Sequence, residues 1–495
     1  MNDVKSLSLF SPPLDRQALR PGSKQSWGGL SGSSSALCIA NCAKHYQGPI
    51  LLLTENTQQA QRLKAELEFF YQHEDTNTPP YLEELPDWET LPYDSFSPHQ
   101  DIISQRLKTL AALPQLEEGI LIASVNSALH RLSPPAYVAS CTLSFRLGQT
   151  LDLSQLGLDL ENAAYHRVDA VYEHGEYALR GSILDIFPMG TEQPYRIELF
   201  DDEIESLRSF DPETQISADK VEAVELLPGK EYPFDQAGIE KFRRNFREAF
   251  AVDLRKCPIY EDVTQGIATA GIEYYLALFF DELASLFDYL PDNTLVISYG
   301  NIHDGGETFW REISSRYNEY GVDPQRPLLP PDKVFIALDE CFACLKNYPQ
   351  IQLYSSEGSL GQNSAEALIQ TTEGSSRKPA EGSSQQNLHV RLESRNFPDL
   401  TVEHKHEEPL KNLQQFISDN HDQAILFCAD SAGRRETLLE LLKSIQLQPR
   451  VIENWQQFML EPHGLAICVS PLESGFWLSE PAIALITENQ LFAHH

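Results

Sequence analysis

Two short apolar runs separated by an amphipathic segment constrain the fold of this chain more than any other feature. The runs PILLLT (residues 49–54) and GILIASV (residues 119–125) have the length and composition of buried strands. Between them, the segment ENTQQAQRLKAELEFFY places Ala60, Leu63 and Leu67 at helical spacing. Because strands that are buried on both faces alternate with helices in parallel sheets, this pattern predicts an α/β domain.

The pattern changes along the 495 residues, which are too many for one hydrophobic core. RGSILDIFPMGTEQPYRIELFDDEIESLRSF contains three short strand-like runs separated by turns, and predicts a small antiparallel sheet. A segment rich in Ser, Gly and Gln then separates this part from the further apolar runs QAILFCAD, LAICVS and AIALIT. The predicted organisation is an α/β core at 1–130, an inserted small α+β domain at 131–212, the rest of the core at 213–353, a flexible linker at 354–388 and a separate α/β domain at 389–495.

Charge and cysteine content exclude several classes of function. The chain has 38 Lys and Arg against 72 Asp and Glu, a net charge of −34. Since proteins bind phosphate backbones through Lys and Arg, general nucleic-acid binding is not expected. Cys341 and Cys344 form the single CxxC pair, which lacks the second pair that a zinc site needs. With this single pair, we expect no metal site. No segment approaches the ~20 apolar residues of a membrane span, so we expect a cytoplasmic protein.

A helix start is also predicted before residue 101. Ser97-Pro98-His99-Gln100 has the form of a capping box with Pro at the first helical position. The segment DIISQRLKTL that follows is expected to continue as a helix.

A glycine- and serine-rich segment, GGLSGSSSALCIA, resembles a phosphate-binding loop in outline. That loop has the form GxxGxGK[ST]: backbone N–H groups surround the phosphates, Lys reaches the terminal phosphates and Ser or Thr binds magnesium. Gly29 and Gly32 occupy the first two glycine positions. Ser34, Ser35 and Ala36 stand in place of the third glycine, the Lys and the Ser/Thr. We therefore expect no nucleotide hydrolysis here; an ordinary Ser/Gly loop before a helix is the alternative.

Two arginines stand out in the carboxylate-rich segment YHRVDAVYEHGEYALRGSILDIFPMG. They are Arg167 and Arg180, and Phe187 ends the alternating strand that follows them. Arginine with an aromatic residue is typical of an interface hot spot. The alternative is that each arginine pairs with a neighbour such as Glu173 or Glu176 and that Phe187 belongs to the core.

Three stretches of the sequence, DWETLPYDSFSPHQD, HGEYALRGSILDIFPMG and YRIELFDDEIESLRSFD, carry a resemblance to a known family. Together they resemble the N-terminal, UvrB-like region of the transcription-repair coupling factor (Mfd) family. The second and third are also similar to the patterns RG-x-(I/V)-x-DIFP and R-(I/L)-E-x-FDDE-x-ES of the excision-repair protein UvrB. The resemblance is strongest over residues 85–215.

The resemblance implies a fold and a partner. The fold is a degenerate RecA-like core with an inserted small domain, plus a second α/β domain. In UvrB and Mfd the small domain binds UvrA, and Arg167 and Arg180 match arginines of that interface. Phe187 matches the Phe of the DIFP motif. Ala178 stands where UvrB-like proteins often carry a further arginine, so one contact is missing here.

The sequence and the resemblance together predict a non-catalytic module that recruits UvrA for nucleotide-excision repair. ATP and magnesium are expected only for a translocase part beyond these residues, as are RNA polymerase and double-stranded DNA as partners. Intramolecular contact with that part is a further candidate interaction. Two alternatives stay open: a UvrB-type ATPase or helicase, and a structural scaffold in which the arginines only stabilise the small domain.

Overall fold

The structure is a computed structural model that describes residues 5–6, 8–73, 77–140, 143–355, 388–392, 394–403 and 407–492. Most of the predicted linker, residues 356–387, lies outside the described residues. None of the described helices combines the length and apolar character that crossing a membrane requires.

A large parallel sheet forms the centre of the first part of the chain. Its strands, in spatial order, are β1 (Lys5–Ser6), β16 (Leu388–Arg391), β2 (Lys24–Leu30), β15 (Gln350–Ser355), β14 (Leu295–Tyr299), β3 (Pro49–Thr54), β5 (Gly119–Ser124) and β4 (Leu82–Glu84). All neighbouring strands run parallel. The two predicted strands are β3 and β5, which pair over six residues and are buried throughout. The predicted parallel α/β architecture is therefore confirmed.

Helices cover both faces of this sheet. Strand β3 alternates between two cores, because Leu51 and Leu53 belong to one apolar cluster whereas Ile50 and Leu52 belong to the other. The covering α-helices are α1 (Ser34–His45), α2 (Thr57–Phe70), α3 (Gln100–Ala112), α4 (Val125–Leu129), α5 (Pro135–Ser140), α7 (Gln236–Ala249), α8 (Pro258–Thr264), α9 (Ile302–Tyr320), α10 (Pro331–Val334) and α11 (Leu338–Leu345). Short 3-10 helices span Leu113–Gln115, Leu254–Lys256, Ile272–Phe279 and Leu286–Asp288.

The predicted capping box before α3 is wrong. The N-cap residue is His99, which makes no side-chain cap, and the helix begins at Gln100. The Ser97 hydroxyl instead donates to Glu273 Oε2 at 2.8 Å and accepts the N–H of Gly271 at 3.0 Å. A tertiary contact has therefore taken the side chain that the local pattern assigned to the helix end.

The small domain is an antiparallel sheet with one helix, α6 (Leu153–Asn162). Its strands, in spatial order, are β12 (Ser217–Lys220), β11 (Glu203–Phe210), β10 (Tyr195–Phe200), β9 (Ile183–Ile186), β8 (Glu176–Arg180) and β7 (His166–Arg167), and a separate ribbon pairs β6 (Ser144–Arg146) with β13 (Ala223–Glu225). Only the β7–β8 pair is parallel. The domain continues past the predicted boundary at 212 and includes β12 and β13. The sequence pattern placed the boundary too early because these two strands carry too few apolar residues to be recognised as strands.

A buried ion pair fixes the small domain to the core. Arg106 of α3 is fully buried and its Nε donates to Glu231 Oε1 at 2.8 Å, at the point where the chain leaves the small domain. The indole of Trp88 donates to the same oxygen at 3.1 Å. Because a buried charge without its partner is strongly destabilising, this connection resists movement of the small domain.

The last part of the chain forms a second α/β domain. Its strands, in spatial order, are β17 (Ser394–Arg395), β21 (Phe476–Leu478), β22 (Ile483–Thr487), β18 (Ala424–Ala429), β20 (Leu465–Val469) and β19 (Arg450–Val451), and its helices are α12 (Lys411–Asp419), α13 (Ala432–Lys443), α14 (Trp455–Leu460) and α15 (Glu488–Leu491). This domain packs against the first one through aromatic rings. Phe70 of α2 lies 5.1 Å from Trp455, with the rings nearly perpendicular, and 6.2 Å from Phe476.

Candidate functional site: a closed loop and an open arginine face

The segment that resembles a phosphate loop, residues 29–36, spans the end of β2 and the start of α1 and is largely buried; we call it the remnant loop. Ser33, Ser34 and Ser35 have no exposed surface. The Ser34 hydroxyl donates to the carbonyl of Ser31 at 2.6 Å, whereas the hydroxyls of Ser33 and Ser35 have no hydrogen-bond partner among the described residues. The loop therefore holds neutral, buried hydroxyls where a phosphate loop carries a lysine.

Backbone of the chain after residue 391 covers both glycines of the remnant loop. A Cβ atom on Gly32 would lie 2.2 Å from the carbonyl oxygen of Gly475, and one on Gly29 would lie 2.5 Å from that of Leu392. The hydroxyl of Ser394 also donates to the Gly29 carbonyl at 3.1 Å. The space directly above these glycines is therefore occupied by protein.

The covering segment, residues 473–475, is held by the last helix of the chain. The hydroxyl of Thr487 and the amide of Asn489 both donate to the Glu473 carbonyl, at 3.0 and 3.2 Å. The N–H of Gly475 donates to Gln490 Oε1 at 3.1 Å. Three hydrogen bonds therefore fix the segment against the remnant loop.

Arg180 lies on the open face of the small sheet, where a buried carboxylate orients it. Its side chain is 55% exposed, and Nη2 lies 3.0 Å from Oδ2 of Asp185, which has no exposed surface. Arg196 holds the same carboxylate by two hydrogen bonds, from Nε at 2.9 Å and from Nη2 at 3.2 Å. Arg180 is therefore paired, as the alternative interpretation expected, although with Asp185 and not with Glu173 or Glu176.

Sequence reasoning missed Asp185 and Arg196 as part of this site. Both lie in alternating strands, β9 and β10, and strand pairing places them directly opposite each other. Alternation shows which residues share a face within one strand, but the register that pairs Asp185 with Arg196 is fixed by the whole sheet. Arg196 also donates to the Gln215 carbonyl and the Ser217 hydroxyl and lies over the ring of Phe210, so its role is structural.

Arg167 lies on β7, the edge strand of the small sheet, and is exposed. It forms no ion pair with any residue that the structure describes. Its register partner is Tyr177, whose side chain belongs to the core on the other face of the sheet from Arg180. Burial raises the pKa of Tyr177 and the carboxylate of Glu161 raises it further, whereas the positive charge of Arg167 lowers it. The two predicted arginines therefore lie on the two sides of the sheet edge.

Phe187 lies beneath the surface, with only 6% of its area exposed. It packs with Val171, Ala178 and Phe210, and its ring centre lies 3.9 Å from that of His174. Such burial leaves little area for direct contact with a partner. The structure thus places Phe187 under the loop that contains His174, where it supports the surface.

Comparison with protein families defines the class of this chain. The family model of the UvrB interaction domain matches residues 143–232, which are the small domain described above. The model of the MFD D3 domain matches residues 416–491, which are most of the second α/β domain. The chain is thus a UvrB-related, multidomain α/β protein.

Individual relatives narrow the class to one family. The transcription-repair-coupling factor of Escherichia coli (strain K12) is 39% identical over 96% of the chain. That of Haemophilus influenzae is 37% identical over 98% of the chain. That of Bacillus subtilis (strain 168) is 30% identical over 57% of it. The chain spans 38% and 39% of the length of the first two relatives. It belongs to the transcription-repair-coupling-factor family and matches the UvrB-like part of those proteins, as its motifs indicated.

Proposed function

We propose that this chain recruits UvrA to stalled transcription complexes for nucleotide-excision repair, and that it has no ATPase activity of its own. The proposal rests on one observation above all. The domain that matches the UvrB interaction domain presents Arg180 on an open face, where Asp185 orients its guanidinium.

Arg180 can bind a partner through the part of its guanidinium that Asp185 does not use. A single nitrogen, Nη2, contacts Asp185, and the other donors remain for carboxylates or carbonyls of UvrA. Each charge-assisted hydrogen bond of this kind contributes roughly 1.5–3 kcal/mol. Because Asp185 already restricts the side chain, less conformational entropy is lost on binding.

Arg167 extends the proposed contact around the edge of the small sheet. It lies on the edge strand and has no ionic partner among the described residues. UvrA would therefore bind across the β7 edge and contact Arg180 on the face of the sheet that carries Asp185. For Phe187 we propose a supporting role, because its ring holds the neighbouring loop in place and has little exposed area.

The covered remnant loop supports the absence of ATPase activity. A nucleotide would need to displace residues 473–475, and it would then meet Ser35 and Ala36 in place of the Lys and Ser/Thr. We propose that ATP, magnesium, RNA polymerase and double-stranded DNA are bound by parts of the longer family proteins that lie outside this chain. The proposed location is the cytoplasm.

A structural role for the arginines is the second candidate. The Arg180–Asp185 contact favours it, because that ion pair also compensates a buried carboxylate. Under this candidate, changing Arg180 would lower the stability of the small domain and leave affinity for UvrA unchanged.

Complex formation with UvrA tests the proposal. In size-exclusion chromatography, we expect the chain to elute together with UvrA and the Arg180→Glu variant to elute separately. The matched control is Arg255→Glu, since Arg255 is 91% exposed and lies in the core domain. The chain alone should release no phosphate from ATP. Separate elution of the unchanged chain, or ATP hydrolysis by it, would contradict the proposal.

A further inference from the structure

One row of paired residues, four of them charged, crosses five strands of the small sheet. Strand register places Ala178 opposite Asp185, Asp185 opposite Arg196, Arg196 opposite Arg208 and Arg208 opposite Lys220. Because paired residues point to the same side of a sheet, these five side chains share one face, which we call the outer face. Arg180, two residues beyond Ala178 on β8, lies on it as well.

The positive charge on the outer face contrasts with the rest of the small domain. Residues 143–232 contain seven Lys and Arg residues against nineteen Asp and Glu residues. Four of the seven cations lie on this one face. The only carboxylate in the row, Asp185, is already shared by Arg180 and Arg196. Glutamates of β8 and β10 lie beside the row on the same face, so the positive charge is concentrated in the row itself, within an acidic domain.

Arg208 is the cation in this row that internal contacts do not explain. The residue is partly buried, and its guanidinium makes no ion pair or hydrogen bond with any described residue. Its two cross-strand neighbours, Arg196 and Lys220, are both positive. Since like charges directly opposite each other destabilise a sheet, the folded domain gains nothing from a cation here.

Two exposed apolar side chains lie at one end of the outer face. Tyr172 is 57% exposed and Ile216 is 67% exposed. Their loops are joined, because the side-chain amide of Gln215 donates to the Val171 carbonyl at 3.0 Å. Exposed aromatic and aliphatic groups beside arginines are typical of protein interfaces, and they are not what a phosphate backbone requires.

We propose that Arg208 is a further partner-binding residue, and that the docking surface for UvrA extends over the outer face from Arg180 to Lys220. In this surface Arg208 binds a carboxylate of an acidic segment of UvrA, and Tyr172 and Ile216 provide apolar contact. The inference rests on the proposed function and adds the chemistry of the recognised segment. Phosphate groups of nucleic acid are the other ligand that such cations could bind, and the net charge of −34 opposes that reading.

Affinity measurements on Arg208 variants test this inference. In calorimetric titrations of the chain with UvrA, we expect Arg208→Gln to weaken binding about 5–10-fold and Arg208→Lys to weaken it less than about threefold. The melting temperature of Arg208→Gln should equal or exceed that of the unchanged chain, because a like-charge neighbour is removed. Arg255→Gln serves as the control and should leave the affinity unchanged.

The outcomes distinguish failure of this inference from failure of the proposed function. If the chain binds UvrA and Arg180→Ala weakens binding while Arg208→Gln does not, the extended surface is wrong and the proposed function stands. If the unchanged chain does not bind UvrA, both are wrong. Binding of a short DNA duplex that depends on Arg208, with unchanged affinity for UvrA, would also overturn the inference.

Discussion

The loop at residues 29–36 is largely buried, whereas the outer face of the small sheet keeps an arginine side chain open to solvent. In the loop, Gly32 lies against the backbone of Gly475, and Ser33, Ser34 and Ser35 are fully buried. On the small sheet, the Arg180 side chain remains 55% exposed. The difference lies in what covers each region, because a second domain packs on the loop whereas more than half of the Arg180 side chain stays in contact with solvent.

The two regions also differ in charge. Replacing Lys by Ser35 removes the charge that a nucleotide needs, so the loop can be buried without a desolvated cation. The arginines of the small sheet keep their charge and one of them is oriented by Asp185. Three substitutions test this contrast, and they follow in order of decreasing effect.

Replacing the aromatic side chain beneath the open face should have the largest effect on stability. We expect Phe187→Ala to lower the free energy of unfolding of the small domain by about 3–5 kcal/mol, because it removes an aromatic side chain from a small buried apolar cluster. Thermal unfolding of the purified chain measures this loss. The control is Phe200→Ala, whose ring is 68% exposed and should contribute within about 0.5 kcal/mol. Equal melting temperatures for both variants would show that Phe187 does not support the surface.

A side chain at Gly32 should disturb the closed region. Gly32 has φ +54°, and a Cβ there would lie 2.2 Å from the Gly475 carbonyl oxygen. We expect Gly32→Val to cost about 2–4 kcal/mol and to lower the temperature of the first unfolding transition. Gly433→Ala is the control, because nothing lies within 4 Å of its Cβ position in helix α13. A Gly32→Val protein as stable as the unchanged chain would mean that the last domain does not pack on the loop.

The domain contact beside the loop should make stability depend on pH. Burial raises the pKa of Glu66 from 4.5 to about 7, although Arg62 opposes this, and the carboxylate of Glu473 raises it further. Between about pH 4.5 and 7 the folded protein therefore holds a proton that the unfolded chain has released, so stability falls as pH rises through this window. Above about pH 7 the Glu66 carboxyl is ionised in the folded protein, and the full free-energy cost of ionising it lowers the stability.

Glu66→Gln should remove this dependence. We expect the variant to exceed the unchanged chain in unfolding free energy by about 1–3 kcal/mol at pH 8, and to match it near pH 4.5. Urea unfolding at the two pH values measures the difference. Glu68→Gln, an exposed carboxyl change on the same helix, should show no such dependence. Lower stability of Glu66→Gln at pH 8 would mean that the Arg62–Glu66 ion pair outweighs the burial cost.

Local sequence patterns predicted much of the fold. The apolar runs at 49–54 and 119–125 are β3 and β5, and the runs QAILFCAD, LAICVS and AIALIT contain β18, β20 and β22. Ser431, directly before α13, is the kind of residue that caps a helix, and its side chain accepts the N–H of Arg434. These predictions succeeded because burial, periodicity and capping act over a few neighbouring residues.

Long-range contacts were not predictable in this way. Strand β16 follows the predicted linker in sequence but pairs with β2, more than 350 residues earlier. The covering of Gly32 by Gly475 and the pairing of Arg180 with Asp185 depend on domain packing and on sheet register. The motifs identified the arginines as candidates, and only the structure shows that they lie on two sides of one sheet edge.

We propose that the open arginines, and not the closed loop, carry the binding function. Calorimetric titration of UvrA into the chain and into an Arg167→Ala/Arg180→Ala double variant of equal melting temperature tests it most directly. We predict a tight complex for the unchanged chain and affinity weakened ~10²-fold or more in the double variant. Equal affinities for the two proteins would contradict the claim, since UvrA would then bind elsewhere on the chain.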